Sequence, residues 1–255
     1  MKELIDFQYS DWRGVLAGLA ATLALQSVYA LYKWANKARM LASAKAIWSP
    51  FIRHSKTTRV VLTTKHSDRP SGTAKVSLNE VEAFNALREN FSQFNLKVEL
   101  VHSPDAHLQG MNGHVISIGG PSHNNVTREI LAAALGRYRV LPFSYDEERR
   151  SISMGGNIFA SLLASDETLK KDYGLILRVT GLQVDPSDSC LVAFGLRGLG
   201  TWGAVKALTI DKTTMDSVRS KVDGEDFAVL LEFDFQGNQL VGTRLISAQM
   251  LIPTK

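Results

Sequence analysis

The sequence predicts an α/β protein: a single N-terminal transmembrane helix, then a mixed, mostly parallel sheet with helices on both faces and an antiparallel C-terminal edge. Three observations carry this. Residues 15–32 form an apolar run without a charge. Short β-branched runs alternate with segments of helical period from residue 59 to residue 135. Two apolar runs, 227–235 and 240–251, flank the turn Gln236-Gly237-Asn238-Gln239, which is a hairpin pattern.

Residues 1–13 read as a short N-terminal tail, and residues 14–34 (GVLAGLAATLALQSVYALYKW) as the transmembrane helix. At about 1.5 Å per residue, the run and its flanks cross a hydrocarbon core of roughly 30 Å. Trp12 at one end, and Tyr29, Tyr32 and Trp34 at the other, suit the headgroup zones. Gly14, Gly18 and Ala21 form a small-residue stripe that lets helices approach, although Ala and Gly are common in any such span. A buried soluble helix is rarely apolar all round for this length. A cleaved signal peptide carries positive charge before its apolar run. Here Lys33, Lys37, Arg39, Lys45, Arg53, Lys56 and Arg59 all follow the run. By the positive-inside tendency this places the C-terminal side in the cytoplasm, in a single-pass arrangement.

Residues 35–58 then read as a basic juxtamembrane linker in contact with anionic lipid. Met40, Leu41, Ala44, Ile47 and Trp48 give it an interfacial apolar face, and Pro50 ends that helix. The net charge of +4 divides accordingly: −1 over residues 1–13, +8 over residues 14–67, and −3 over the remainder. Basic character belongs to the anchor region, which argues against a nucleic-acid duplex as partner of the folded domain and leaves room for a local basic pocket. The one cysteine, Cys190, excludes an internal disulfide framework and suits a reducing compartment.

Residues 59–255 read as the α/β ligand-binding domain. Residues 59–64 (RVVLTT) are its first strand, and the polar stretch 65–75 a loop. Ser77 and Glu80 make a capping-box pattern, behind which Leu78, Val81, Phe84, Leu87, Phe91 and Phe94 recur at helical spacing over 78–94. Strands are expected at 97–101 and 114–118, and a helix near 125–135. Further strands are expected at 141–145, 151–154, 173–179 and 189–194, and helices near 202–208 and 213–221. This order argues for a mostly parallel sheet covered by helices.

Two glycine turns carry the functional signal. In the first, the strand residues Ile116–Ile118 run into Gly119, Gly120 and Pro121, and a helix begins beyond Asn124 and Asn125. Glycines admit a ligand close to the backbone, and the free N–H groups of a helix start favour an anion. Arg128, in the first turn, is placed to complete an anion site. The same residues also make a plain strand-to-helix turn with an Asn cap. In the second, Gly198, Gly200 and Gly203 follow a strand at G-x-G-x-x-G spacing. That pattern gives a tight turn, room for a pyrophosphate and close helix packing in dinucleotide sites. Arg197 and Thr201 are its natural polar contacts, and Trp202 either stacks on a base or packs. The acid such a site needs about 20 residues on, closing the next strand, is missing, which argues against a standard NAD dehydrogenase. Arg178, ending the neighbouring 173–179 strand, is expected either to join both turns at one sheet end or to pair with a nearby acid.

The sequence holds no C-x-x-C, H-E-x-x-H, G-x-x-x-x-G-K or G-x-S-x-G. No catalytic residue, metal site or cofactor is assigned. His114 and His123 flank the first turn without the carboxylates a metal site wants. Glu80 is explained by the capping box, and Glu82 by a solvated helix face.

With its Gly119–Asn124 turn, its Tyr173-Gly174-x-x-x-Arg178 strand and its Gly195–Gly203 turn, the chain resembles Rossmann-like nucleotide-sensor domains of the SLOG class. In some bacterial immune systems these are joined to a membrane segment. The resemblance spans about residues 59–250. It implies a Rossmann-like fold, a nucleotide-derived signalling ligand held by Gly119, Gly120, Asn124, Arg178, Gly198, Gly200 and Thr201, and a membrane part that acts as effector. It also implies the inner membrane, a homo-oligomer and antiviral defence. A membrane-anchored hydrolase or transferase acting on a nucleotide or nucleoside, and a membrane-tethered protein-interaction module, remain the alternatives.

Overall fold

The computed structural model describes residues 2–54, 56–63, 75–101, 106–138, 140–222 and 226–254. The expected 65–75 loop lies outside them except for Lys75. The chain divides into two units, residues 1–42 and 43–255.

In the first unit the backbone is a single helix. Helix α1 (Lys2–Ile47) runs without a break, and its Gly14–Ile47 stretch is long and apolar enough to cross a membrane. Its large apolar side chains are not covered by the protein: Leu25 is 72% exposed and Trp34 71%. The core helix of a soluble protein would hide them.

The second unit is built on a mixed sheet. The five-residue helix α2 (Ser49–Arg53) follows α1, and strand β1 (Thr58–Leu62) and helix α3 (Leu78–Ser92) come after it. Strands β2 (Val98–Val101) and β3 (His114–Ile118) and helix α4 (Asn125–Arg137) come next. A small antiparallel sheet follows, of β4 (Phe143–Asp146), β5 (Ser151–Met154) and β6 (Asn157–Ala160). Then come β7 (Leu162–Leu163), β8 (Leu169–Thr180), β9 (Ser189–Gly195), α5 (Gly198–Thr209), α6 (Lys212–Val222), β10 (Phe227–Gln236) and β11 (Gln239–Met250). The order across the main sheet is β11-β10-β8-β9-β3-β1-β2, with β7 on β8.

Strands β2, β1, β3 and β9 pair in parallel, while β8 is antiparallel to both β9 and β10. Five of the seven ordered strands therefore point the same way. The C-terminal hairpin forms as its turn predicts. The apolar runs of β3 and β9 are buried throughout, as expected of central strands covered on both sides. One apolar cluster gathers Val115, Val192, Phe194 and Leu177 with Val126 and Ile130 of α4. Residues of opposite strand parity, such as Ile176 and Ala193, are buried as well.

The juxtamembrane reading needs correction. Ala44, Ile47 and Trp48 do not face lipid: each is at most 1% exposed. Trp48 packs edge-on against Phe91 of α3 at 4.9 Å and against Phe51 at 5.8 Å. Its indole N–H donates to the Leu208 carbonyl at 3.3 Å. An apolar face at helical spacing looks the same in sequence whether it meets lipid or a core, and here the core takes it. The Met40 side chain lies outside the described ones.

Trp48→Ala in the full chain removes a fully buried indole. It is expected to cost about 3–5 kcal/mol of unfolding free energy, read as a lowered urea midpoint of the α/β unit. An unchanged midpoint would return this segment to the linker.

Candidate functional site

Parallel strands carry their carboxyl ends to one edge of the sheet, and loops leaving that edge form a crevice. Here Thr63 follows β1, Gly119 and Gly120 follow β3, and Gly195 ends β9. Thr63, Gly120 and Gly195 meet in a cleft of about 410 Å³, lined also by Ser77, Glu80, Ser122, His123, Tyr145, Glu147, Arg150, Leu196, Arg197 and Gly198. The size falls within the range of small-molecule sites. Both glycine turns thus reach one crevice.

In the first turn Gly119 has a φ of +117°, in the region that favours glycine. A Cβ there would strike the Thr63 hydroxyl and lie 3.0 Å from Glu80 Oε1. The Gly119 N–H donates to the Ala193 carbonyl at 3.0 Å, so β3 stays tied to β9 into the turn. Asn124, only 3% exposed, is committed to structure: its Oδ1 accepts the Thr127 N–H and its Nδ2 donates to the Ile118 carbonyl. It caps α4 and does not line the cleft. Arg128 is exposed and turns back to donate to the Pro121 carbonyl at 2.9 Å. It braces the turn without reaching the crevice.

In the second turn the protein supplies its own anion. The Asp172 carboxylate of β8 accepts the N–H groups of Arg197 at 3.1 Å and Gly200 at 2.9 Å through Oδ2, and the Ser161 hydroxyl at 2.7 Å through Oδ1. A Cβ on Gly200 would strike that carboxylate. The space a pyrophosphate would take is therefore filled. Gly203 lies against the Phe233 ring, where a Cβ would sit at 3.0 Å. Thr201, 3% exposed, accepts the Gly195 N–H at 2.8 Å. The G-x-G-x-x-G glycines thus let α5 pack close on β8 and β10. Gly195, Leu196, Arg197 and Gly198 line the cleft, and Gly200, Thr201 and Gly203 do not.

Arg178 is elsewhere. Because β8 runs antiparallel to β9, Arg178 sits opposite Leu191, near the start of β9, while Gly174 sits opposite Gly195. At about 3.3 Å per residue this puts it some 13 Å from the cleft edge. It is fully buried, stacks over Phe227 at 4.5 Å and donates to the Ile47 carbonyl at the end of α1. Arg178 would reach the glycine turns only if β8 ran parallel to β9, and strand direction leaves no local sequence signal.

Most cleft residues do not stand out in the sequence as ligand contacts, among them Glu80, Arg150, Glu147 and Tyr145. Glu80 does not act as the capping box implies. Ser77 makes no side-chain cap, and the Glu80 carboxylate, 7% exposed, accepts the Thr63 N–H at 2.9 Å. Glu147 and Arg150 come from the β4–β5 turn. Tyr145 stands edge-on to Phe194 at 5.4 Å. Neither the Arg150 nor the Arg197 guanidinium has a hydrogen bond or ion pair among the described residues. Among the described residues no cluster of His, Cys, Asp and Glu is arranged to hold a metal ion.

Burial raises the Asp172 carboxyl to about 6, against the pull of Ser161 and the N–H groups of Tyr173, Gly200 and Arg197. Such a group contributes stability at low pH that is lost as pH rises through about 6. His114, fully buried, is lowered to about 4 by burial. Its contribution is complete above its ordinary value and lost as pH falls toward 4. Between pH 4 and 6 the two oppose each other. Asp172→Asn keeps an acceptor for both N–H groups and a donor for Ser161 while removing the titration. Its urea midpoint is expected to climb more steeply from pH 4 to 6 than that of the wild type; parallel profiles would contradict the assignment. Asp172→Ala strands all three donors and is expected to cost about 1–3 kcal/mol per unsatisfied group. Compared with protein families, curated proteins and solved structures, the chain matches no family model and gives no significant match to a curated protein or a solved structure.

Proposed function

We propose that the chain is a membrane-anchored sensor whose α/β unit binds a nucleotide-derived signalling ligand. The observation that supports this is the pairing of two unpartnered guanidiniums, Arg150 and Arg197, across a cleft at the carboxyl ends of β1, β3 and β9. Arginine presents a planar fork of donors that suits phosphate oxygens. Two such forks in one 410 Å³ space fit a ligand with separated phosphates. The glycine turns supply access and the arginines supply charge. Tyr145 offers an aromatic surface beside them. The Arg197 and Gly200 N–H groups are not part of this site, since Asp172 holds both.

In this reading α1 spans the inner membrane once, the Rossmann-like domain with helices on both faces lies in the cytoplasm, and the membrane part is the effector. The basic residues after the apolar run support that orientation. Ligand binding assembles a homo-oligomer and perturbs the bilayer, as in the antiviral systems that the SLOG-like layout resembles.

A second reading is favoured by one observation: Glu80, buried, and Glu147 share the cleft with His123, a set that suits hydrolysis or transfer on a nucleotide. Turnover lost in Glu80→Gln with ligand affinity retained would support it.

Titration calorimetry of the full chain in phospholipid nanodiscs, with ADP-ribose and a panel of cyclic dinucleotides, tests the sensor reading. One ligand of the panel is expected to bind. Arg150→Ala and Arg197→Ala are each expected to weaken it about tenfold or more, since a charge-assisted hydrogen bond contributes about 1.5–3 kcal/mol. Heat from none of them, with the protein folded, would remove the reading.

A further inference from the structure

Two helices run from the cleft to the end of the anchor. At the N-terminus of α3, Ser77 and Glu80 line the cleft; at the N-terminus of α5, Arg197 and Gly198 do. The two starts touch: a Cβ on Gly198 would lie 2.9 Å from Asn79 Nδ2. Their far ends converge on one residue. Phe91 of α3 packs on Trp48 at 4.9 Å, and Leu208 of α5 accepts the Trp48 indole N–H. Asn90 ties the far ends together, donating to the Thr209 carbonyl at 2.7 Å in a buried position. Trp48 directly follows Ile47, the last residue of α1. Asp216 of α6 accepts from Ser43, and Arg178 of β8 donates to Ile47, so two elements hold the last turn of α1 while α3 and α5 hold Trp48 just beyond it.

A 15-residue helix is about 22 Å long, and packed helices shift as units because close-packed interiors do not deform continuously. A side chain drawn toward a ligand at Glu80 or Arg197 therefore moves a rigid rod whose other end bears on Trp48. We propose that α3 and α5 act as a paired lever that couples occupancy of the cleft to the position of Trp48 and hence of the end of α1. The lever rests on the sensor reading for its ligand, but the coupling itself is a property of the fold. A ligand can shift such an element only by its differential affinity for the two positions, and by linkage a change at the Trp48 end must alter the cleft end equally.

Hydrogen exchange on the full chain in phospholipid nanodiscs tests this, with inorganic pyrophosphate as the anion probe. In the wild type, pyrophosphate is expected to slow exchange at residues 78–81 and also at residues 49–53. Trp48→Phe, which keeps the ring and deletes the indole donor, is expected to abolish the second effect and keep the first. Asn90→Ala, without any ligand, is expected to speed exchange at residues 199–202 by at least about fivefold, the lower end of ordinary coupling. Protection by pyrophosphate confined to residues 78–81 would overturn the proposal. If pyrophosphate does not bind, the anion-cleft reading fails, and the Asn90→Ala arm decides the lever alone: faster exchange at residues 199–202 supports it, and a change confined to the neighbourhood of residue 90 overturns it.

Discussion

The contact on which the site depends is the Asp172 carboxylate seated in the N-terminus of α5. It is an internal anion held by two backbone N–H groups and a serine hydroxyl, with burial working against its charge. It fixes three things at once. It anchors the start of antiparallel β8 beside the carboxyl end of β9. It sets the height of α5 on the sheet, where Gly200 and Gly203 leave no room for a side chain. It also occupies two of the N–H groups that a phosphate would use in a dinucleotide site. A glycine pattern that looks like ligand recognition is here mainly helix–sheet packing.

The second constraint lies at the opposite end of the sheet. The last turn of α1 is inside the α/β core, not beside it. Helix α1 ends beside Trp48, Phe51 and Phe91, with Arg178 on its terminal carbonyl, so residues 43–51 belong to the packing of the second unit. Arg178 thus holds the end of α1, remote from the cleft.

Much of the fold was legible in the sequence, because hydrophobic period is a local signal. The strands β3, β5 and β9, the helices α3 and α4 and the β10–β11 hairpin fall where alternation, capping and turn residues put them. β6 and β7 were not foreseen, being four and two residues long and largely exposed. Strand direction was not legible either, and that one gap misplaced Arg178. The convergence of the two glycine turns was legible from strand–turn–helix order alone. The groups that dress the cleft were not. Arg150 sits in the run Glu147-Glu148-Arg149-Arg150, which reads as a solvated turn, and Asp172 follows Lys170 and Lys171 at the polar start of its strand, with a partner 28 residues away. Such pairings depend on three-dimensional proximity, which spacing does not encode.

The central claim is that an anion in this cleft is held by arginine side chains while Asp172 keeps the helix amides. A ¹⁵N–¹H correlation spectrum of the full chain, titrated with pyrophosphate, reads both sets of groups together. The account predicts that the Arg150 and Arg197 side-chain signals move farthest with the titration, while the Gly200 amide, still bonded to Asp172, moves only as α5 shifts. Movement of the Gly200 amide with the arginine side chains unmoved would mean that the anion displaces Asp172, and would contradict it.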